Sequence, residues 1–317
     1  MKKNFVLGAL LFAALPVLAC DQCGCGLLLG VQPYDHATNF GLQWRMRYLE
    51  GTVHVPGTAS LLKHGGHAEG PVDRQATYVE TYSVLEARGE FWFGQRTSLM
   101  ASFPVLNNFQ AVDGVRSADT YGLGDPILLA RHAVLGSTCG PDPTRLRHRF
   151  TIGLGLKLPL GRTDVVQYGR LLDHDLQPGT GTWDGLLSLE YMVRGTRWGT
   201  SLGVMGRYNG VMADGYRMGH SAALTAEVFR IIPLHDFKLI PSFGGYLESA
   251  LPDRMDHVAD PTTGGSTLFS HAGARLWWKN LGLSFTWQQA LLNDLGSLMI
   301  PNRERFVAGI TYNFEKD

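Results

Sequence analysis

The chain has 317 residues, enough for one large unit or two small ones, with 28 basic and 28 acidic residues. That balance excludes a nucleic-acid binder held by a basic face. The charged fraction, 18%, lies below the roughly 25% of soluble domains, and 39 glycines exceed the roughly 7% of average usage. The glycines are spread among aliphatic and aromatic residues, which suits long strands with one apolar and one wet face.

The first element in chain order reads as a secretion leader. Lys2 and Lys3 precede an apolar run from Phe5 to Leu15, and Pro16-Val17-Leu18-Ala19 supplies a cleavage site after Ala19. The run is shorter than the roughly 20 residues of a spanning helix, so residues 1–19 are assigned as a signal peptide. Cys20 would be lipidated if Val17-Leu18-Ala19-Cys20 were a lipobox, but the bulky Leu18 makes it a poor one.

Residues 20–38 form a Cys-rich segment. Cys20, Cys23 and Cys25 sit among Asp, Gln and Gly, which provide no buried surface. Two readings stand open. The thiols could hold copper or zinc as soft ligands, or the oxidising periplasm could join them and Cys139 in disulfides. The apolar stretch Gly26–Pro33 is too short to span a membrane and is expected to plug the mouth of a barrel.

From Asn39 onward, segments of about ten residues alternate apolar and polar, the pattern of a barrel with a lipid face and a lumen face. Leu42, Trp44, Met46 and Tyr48 oppose Gln43, Arg45 and Arg47, and Leu85, Ala87 and Phe91 oppose Glu86, Arg88 and Glu90. Phe150–Leu158 alternates with Arg149, Thr151 and Lys157. Further on, Glu190, Arg207, His271 and Arg275 fall on the polar sides of their segments. A midplane Arg facing lipid costs roughly 2–4 kcal/mol, so Arg45, Arg47, Glu86, Arg88, Glu190, Arg207, His271 and Arg275 are expected to line the lumen. The segments Thr97–Phe103, Tyr121–Ala133, Met218–Phe229, Phe237–Leu247 and Leu281–Gln288 read as further strands.

The last strand carries Phe306, Ala308, Ile310, Tyr312 and Phe314 on one face. Gly309 to Phe314 resembles the carboxy-terminal signal by which bacterial barrels engage their assembly machinery, with Gly309, Tyr312 and Phe314 as its marked positions. The count is about twelve strands over residues 39–317, an antiparallel up-and-down transmembrane barrel. Long connections, among them Leu106–Asp119 and Gly161–Gly181, are expected outside, and short ones such as Gly94–Arg96 inside. Leu135–Arg147, which holds Cys139, is a long inside exception.

His132, His220 and His271, with Met192 and Met205, are further candidates for the lumen wall. His64-Gly65-Gly66-His67 reads as a solvated loop, since two histidines without fixed partners bind metal weakly. An enzyme is not expected. His220 and Ser221 are sequence neighbours, so they point to opposite faces of a strand and cannot pair as base and nucleophile.

Three stretches carry a family resemblance: Tyr121-Gly122-Leu123-Gly124-Asp125-Pro126, Gly155-Leu156-Lys157-Leu158-Pro159-Leu160-Gly161, and Gln177-Pro178-Gly179-Thr180-Gly181-Thr182-Trp183-Asp184. Together with Tyr216-Arg217-Met218-Gly219 they resemble outer-membrane proteins named for the meta pathway of phenol degradation, described as transporters. The Cys-Asp-x-Cys-Gly-Cys head is similar to that of a branch of such barrels, mostly from Bacteroidetes. The resemblance implies a Gram-negative outer-membrane channel, with membrane lipid, the assembly machinery and a small solute as partners. Linkage to copper or other heavy-metal handling is the favoured expectation. The alternatives are uptake of hydrophobic or aromatic compounds, or a structural barrel whose head docks a periplasmic partner.

Overall fold

The structure, a computed structural model, describes residues 37–55, 74–136 and 146–314. Twelve long strands form among them. They are β1 (Asn39–Val55), β2 (Arg74–Phe93), β3 (Thr97–Val112) and β4 in two pieces (Val115–Leu123 and Ile127–Gly136). Then come β5 (Arg147–Lys157), β6 (Asp184–Arg194), β7 (Trp198–Tyr208) and β8 (Ser221–Arg230). The last four are β9 (Phe237–Ala250), β10 (Gly265–Trp278), β11 (Leu281–Leu295) and β12 (Asn302–Asn313). Each pairs antiparallel with its chain neighbours, and β12 returns to β1 from Asn39↔Asn313 to Leu49↔Asn302. That seam closes the barrel, so the backbone groups of every strand have partners on both sides.

The two-residue alternation sets the faces. Leu42, Leu154, Phe243 and Ile310 point outward and are exposed, while Gln43, Arg47, Glu86, Thr151 and Glu248 are buried inside. The polarity is inverted relative to a soluble core, and an apolar outer belt belongs in hydrocarbon. Tyr312 and Phe314 lie on this outer face in an edge-to-face contact, 5.3 Å between ring centres.

Two expectations need correction. The long connection Leu106–Asp119 does not exist as such: β3 and β4 continue to a two-residue turn at Asp113-Gly114. Both residues have positive φ, 50° and 78°, the type I′ geometry that suits a hairpin. His132 is no part of the lumen wall. It is exposed on the outer face of β4, its Nδ1 2.9 Å from the Thr97 hydroxyl.

The segment Tyr121–Ala133 is not one regular strand. Before Gly124-Asp125-Pro126 the even residues Ala118 and Thr120 point inward; after it the odd residues Ile127, Leu129 and Arg131 do. Pro126 has no N–H for the ladder, and the one-residue slip exchanges the faces of the strand. The slip leaves Asp125 buried.

The end with the short turns also carries the first residue of β1 and the last of β12, Asn39 and Asn313. At the other end, Leu176 from the β5–β6 connection and Leu298 and Ile300 from the β11–β12 connection pack on Leu49, Tyr78 and Ala118. Loop residues thus fill the barrel there. Leu154→Arg, on the outer face midway along β5, should lower stability by about 2–4 kcal/mol in denaturant unfolding from lipid vesicles. An unchanged midpoint would show that this face does not meet hydrocarbon.

Candidate functional site

The lumen wall carries charges that reach over intervening strands. Arg131 on β4 binds Glu90 on β2 at 2.5 Å and Glu190 on β6 at 2.6 Å, and Ser98 donates to Glu90 at 2.7 Å. Arg275 and His271, both on β10, meet Glu227 on β8 at 2.9 and 3.2 Å. Arg47 and Arg305 stand opposite each other across the β1–β12 seam. Two like charges in that position repel. Glu248 on β9 resolves this by pairing with both; its contact to Arg305 is 2.8 Å. The Arg305 guanidinium also lies over Phe269 and Tyr246, 4.8 and 5.1 Å from the ring centres. On the β1–β2 side, Glu86 receives Arg45 at 2.8 Å and Arg88 at 2.6 Å.

A second constellation joins the three stretches that carry the family resemblance. Asp125, from the break in β4, accepts the backbone N–H of Gly161 and of Thr180, each at 2.8 Å. Lys157, at the end of β5, lies 3.1 Å from Asp125 and 2.6 Å from Asp184, and also donates to Thr180. Asp184, fully buried at the start of β6, further takes Arg207 at 2.5 Å, the Thr182 hydroxyl at 2.7 Å and the Gly210 N–H at 3.0 Å. Two carboxylates and two cations are thereby mutually neutralised. The glycines have a reason as well. A Cβ on Gly179 would stand 2.4 Å from the Gly161 backbone, so the crossing of the two chain segments needs both bare.

This knot roots the β5–β6 connection, residues 158–183, against the barrel wall. Further along the connection, the Leu176 carbonyl accepts the Thr120 hydroxyl at 2.8 Å and the Asn108 amide at 3.3 Å, both from inside the barrel. His174 stacks on Tyr216 at 4.1 Å, linking this connection to the one before β8. Tyr216 and Gly219 in turn donate to the buried Asp253 at 2.6 and 2.7 Å. The loops at this end therefore hold one another.

All eight residues expected on the lumen side take part in these contacts or in their immediate surroundings. Arg45, Glu86 and Arg88 share one cluster; His271 and Arg275 share another; Glu190, Arg47 and Arg207 each belong to a different one. Met192 and Met205 are buried in separate apolar clusters, beside Phe229 and Leu129 respectively. His220 precedes β8 in a loop and stacks on Tyr208 at 4.0 Å. Gly309 is on β12 with its face to the interior. Cys20, Cys23, Cys25 and Cys139 lie outside the described residues. Sequence reasoning passed over Arg131, Glu248 and Arg305 as partners, and it did not connect Asp125, Lys157 and Asp184. The alternation marked Lys157 as inward, but nothing in the sequence says which inward residues meet.

Comparison with known proteins agrees with the architecture. No protein-family model and no curated protein matches the sequence. Among solved structures, an outer-membrane channel from Pseudomonas putida F1 superposes with a TM-score of 0.60, at 16% identity, over 90% of this chain and 100% of its own. The β domain of the Bordetella autotransporter BrkA gives 0.44 at 14% identity over 88% and 100%. The CymD monoaromatic hydrocarbon channel gives 0.39 at 9% over 95% and 98%. At these identities the likeness to the first is one of fold, that of an outer-membrane β-barrel.

Asp125→Ala should take from Lys157 one of its two carboxylates and leave the backbone N–H groups of Gly161 and Thr180 without their acceptor, a loss of about 1–3 kcal/mol. Hydrogen exchange read at the amides of Gly161 and Thr180 should accelerate well before the strand amides do. If all amides accelerate together, or none does, Asp125 does not hold this connection in place.

Proposed function

We propose that the protein resides in the outer membrane of a Gram-negative bacterium, delivered there by its leader of residues 1–19, and conducts a small polar solute through its lumen. The observation that carries this reading is the wall of Arg and Glu pairs running inside a closed barrel whose outer face is apolar. A barrel that served only as a membrane anchor could fill its interior with apolar side chains at less desolvation cost. Guanidinium and carboxylate groups also give a hydrocarbon no favourable surface, which places polar solutes ahead of aromatic ones.

The conduit is gated at its long-loop end. Leu176, Leu298 and Ile300 close an apolar cluster there, so passage requires those connections to move. The segment of residues 20–38 is the proposed plug at the opposite mouth. A copper- or zinc-linked role would draw on Cys20, Cys23, Cys25 and Cys139; among the described residues no group of three His, Cys, Asp or Glu is placed to hold a metal ion.

Planar-bilayer recording tests the conduit. The intact chain should show small unit currents, and replacing residues 165–176 by a short Gly-Ser link should raise them several-fold. Silence from the intact chain, from that variant and from one lacking residues 21–33 would remove the channel reading.

A further inference from the structure

Exposed charge is distributed differently at the two ends of the barrel. The long connections mix both signs: Arg116 lies 3.3 Å from Asp119 and Arg162 3.2 Å from Asp164, and Asp214 and Asp256 are exposed beside them. At the short-turn end the signs separate. Arg96, Arg197, Arg230, Lys238 and Lys279 are exposed there, and among the described residues none of the five is in an ion pair. The described turns of this end, residues 94–96, 195–197, 231–236 and 279–280, contribute a single acidic residue, Asp236. The chain as a whole carries 28 residues of each sign, so the excess belongs to this end and not to the protein at large.

Four of the five cations are contiguous. Arg197 leads into β7, Arg230 ends β8, Lys238 opens β9 and Lys279 follows β10, and these strands are successive neighbours in the wall. Two of the four are fixed on the outer circumference. Arg230 is the cross-strand partner of Trp198, and its guanidinium lies 5.3 Å from the centre of that ring. Lys279 holds its ammonium 5.6 Å from the ring of Trp278, which stacks on Phe237 at 6.4 Å. Trp198, Phe237 and Trp278 are exposed on the outward face. Aromatic rings at the rim of a membrane barrel sit at the level of the lipid headgroups, and a cation held over such a ring stands at that level too. A basic residue at a membrane surface favours anionic lipid by about fivefold.

We infer that the short-turn rim of β7 to β10 is a docking surface for anionic phospholipid, whose headgroup phosphates take the place of the missing carboxylates beside Arg197, Arg230 and Lys279. The inference rests on the membrane placement proposed above and not on conduction.

The test is tryptophan fluorescence of the full chain in vesicles of equal parts phosphatidylglycerol and phosphatidylcholine, with bromine on the acyl chains of one lipid or the other. Bromine quenches the tryptophans that its lipid touches, so the two measurements give the composition of the lipid around the barrel. The unaltered chain should prefer phosphatidylglycerol by at least about threefold. Roughly 1 M salt, which shortens screening to about 3 Å, should remove most of that preference. The combined variant Arg197→Gln, Arg230→Gln and Lys279→Gln should remove it at low salt. Arg116→Gln, Arg162→Gln and Arg170→Gln, an equal loss of charge among the long connections, should leave it unchanged. Heat-modifiable migration on gels shows whether each variant is folded, and the salt series on the unaltered chain keeps the test decisive if one is not. Equal quenching by the two lipids, a preference that survives high salt, or one that falls alike in both variants would overturn the docking surface. Absence of quenching by either lipid would discard the membrane placement, and the docking surface with it.

Discussion

A closed barrel in hydrocarbon can compensate a buried charge only from inside its own lumen. Lipid supplies no hydrogen bonds to the outer face, and the backbone groups of the wall are already committed to their neighbours. Arginines that the alternation turns inward therefore find carboxylates within the lumen, often on another strand and not always the adjacent one. That requirement explains why Arg131 takes partners from β2 and β6 and why Glu248 reaches from β9 to both sides of the closing seam. The seam depends on it most directly, since Arg47 and Arg305 face each other in its ladder. Without Glu248 that seam would bring two buried cations together.

The same constraint fixes the knot around Asp125 and Asp184, where it works on a connection instead of a strand. The slip at Gly124-Asp125-Pro126 breaks the regular ladder and turns an acidic residue inward. Lys157 and the N–H groups of Gly161 and Thr180 then converge on that carboxylate. A local departure from strand geometry is thus the feature that ties a long connection to the wall. The glycine pair at the crossing, Gly161 and Gly179, belongs to the same solution, because any side chain there would hold the segments apart.

Much of the barrel was legible because its signal is short-ranged. A period of two, read over ten residues, separates Arg45 and Arg47 from Trp44 and Met46 without knowledge of any other strand. Pairing is a different kind of information. Arg131 and Glu190 lie 59 positions apart, and only the strand order and register bring them together. The turn at Asp113-Gly114 was readable and passed over: Asp-Gly between alternating segments is a strong hairpin signal. His132 was misplaced for a subtler reason. The slip at Asp125 inverts the faces downstream, and a reader who carries the earlier parity across it puts the wrong residues inside.

The two ends of the lumen are built from different materials, and this limits where motion can occur. The wall cannot open without breaking ladders that no solvent would replace in hydrocarbon, whereas the long connections lie beyond that region and are held by side chains. At their end the closure is an apolar cluster around Leu176, fastened by the two acceptances at its carbonyl, the His174–Tyr216 stack and the root at Asp125. Each of these fastenings is modest alone and can be exchanged for water once the connection lifts. At the other end turns as short as Lys279-Asn280 join the strands and offer little chain to lift, so control of passage falls to the end with the long connections.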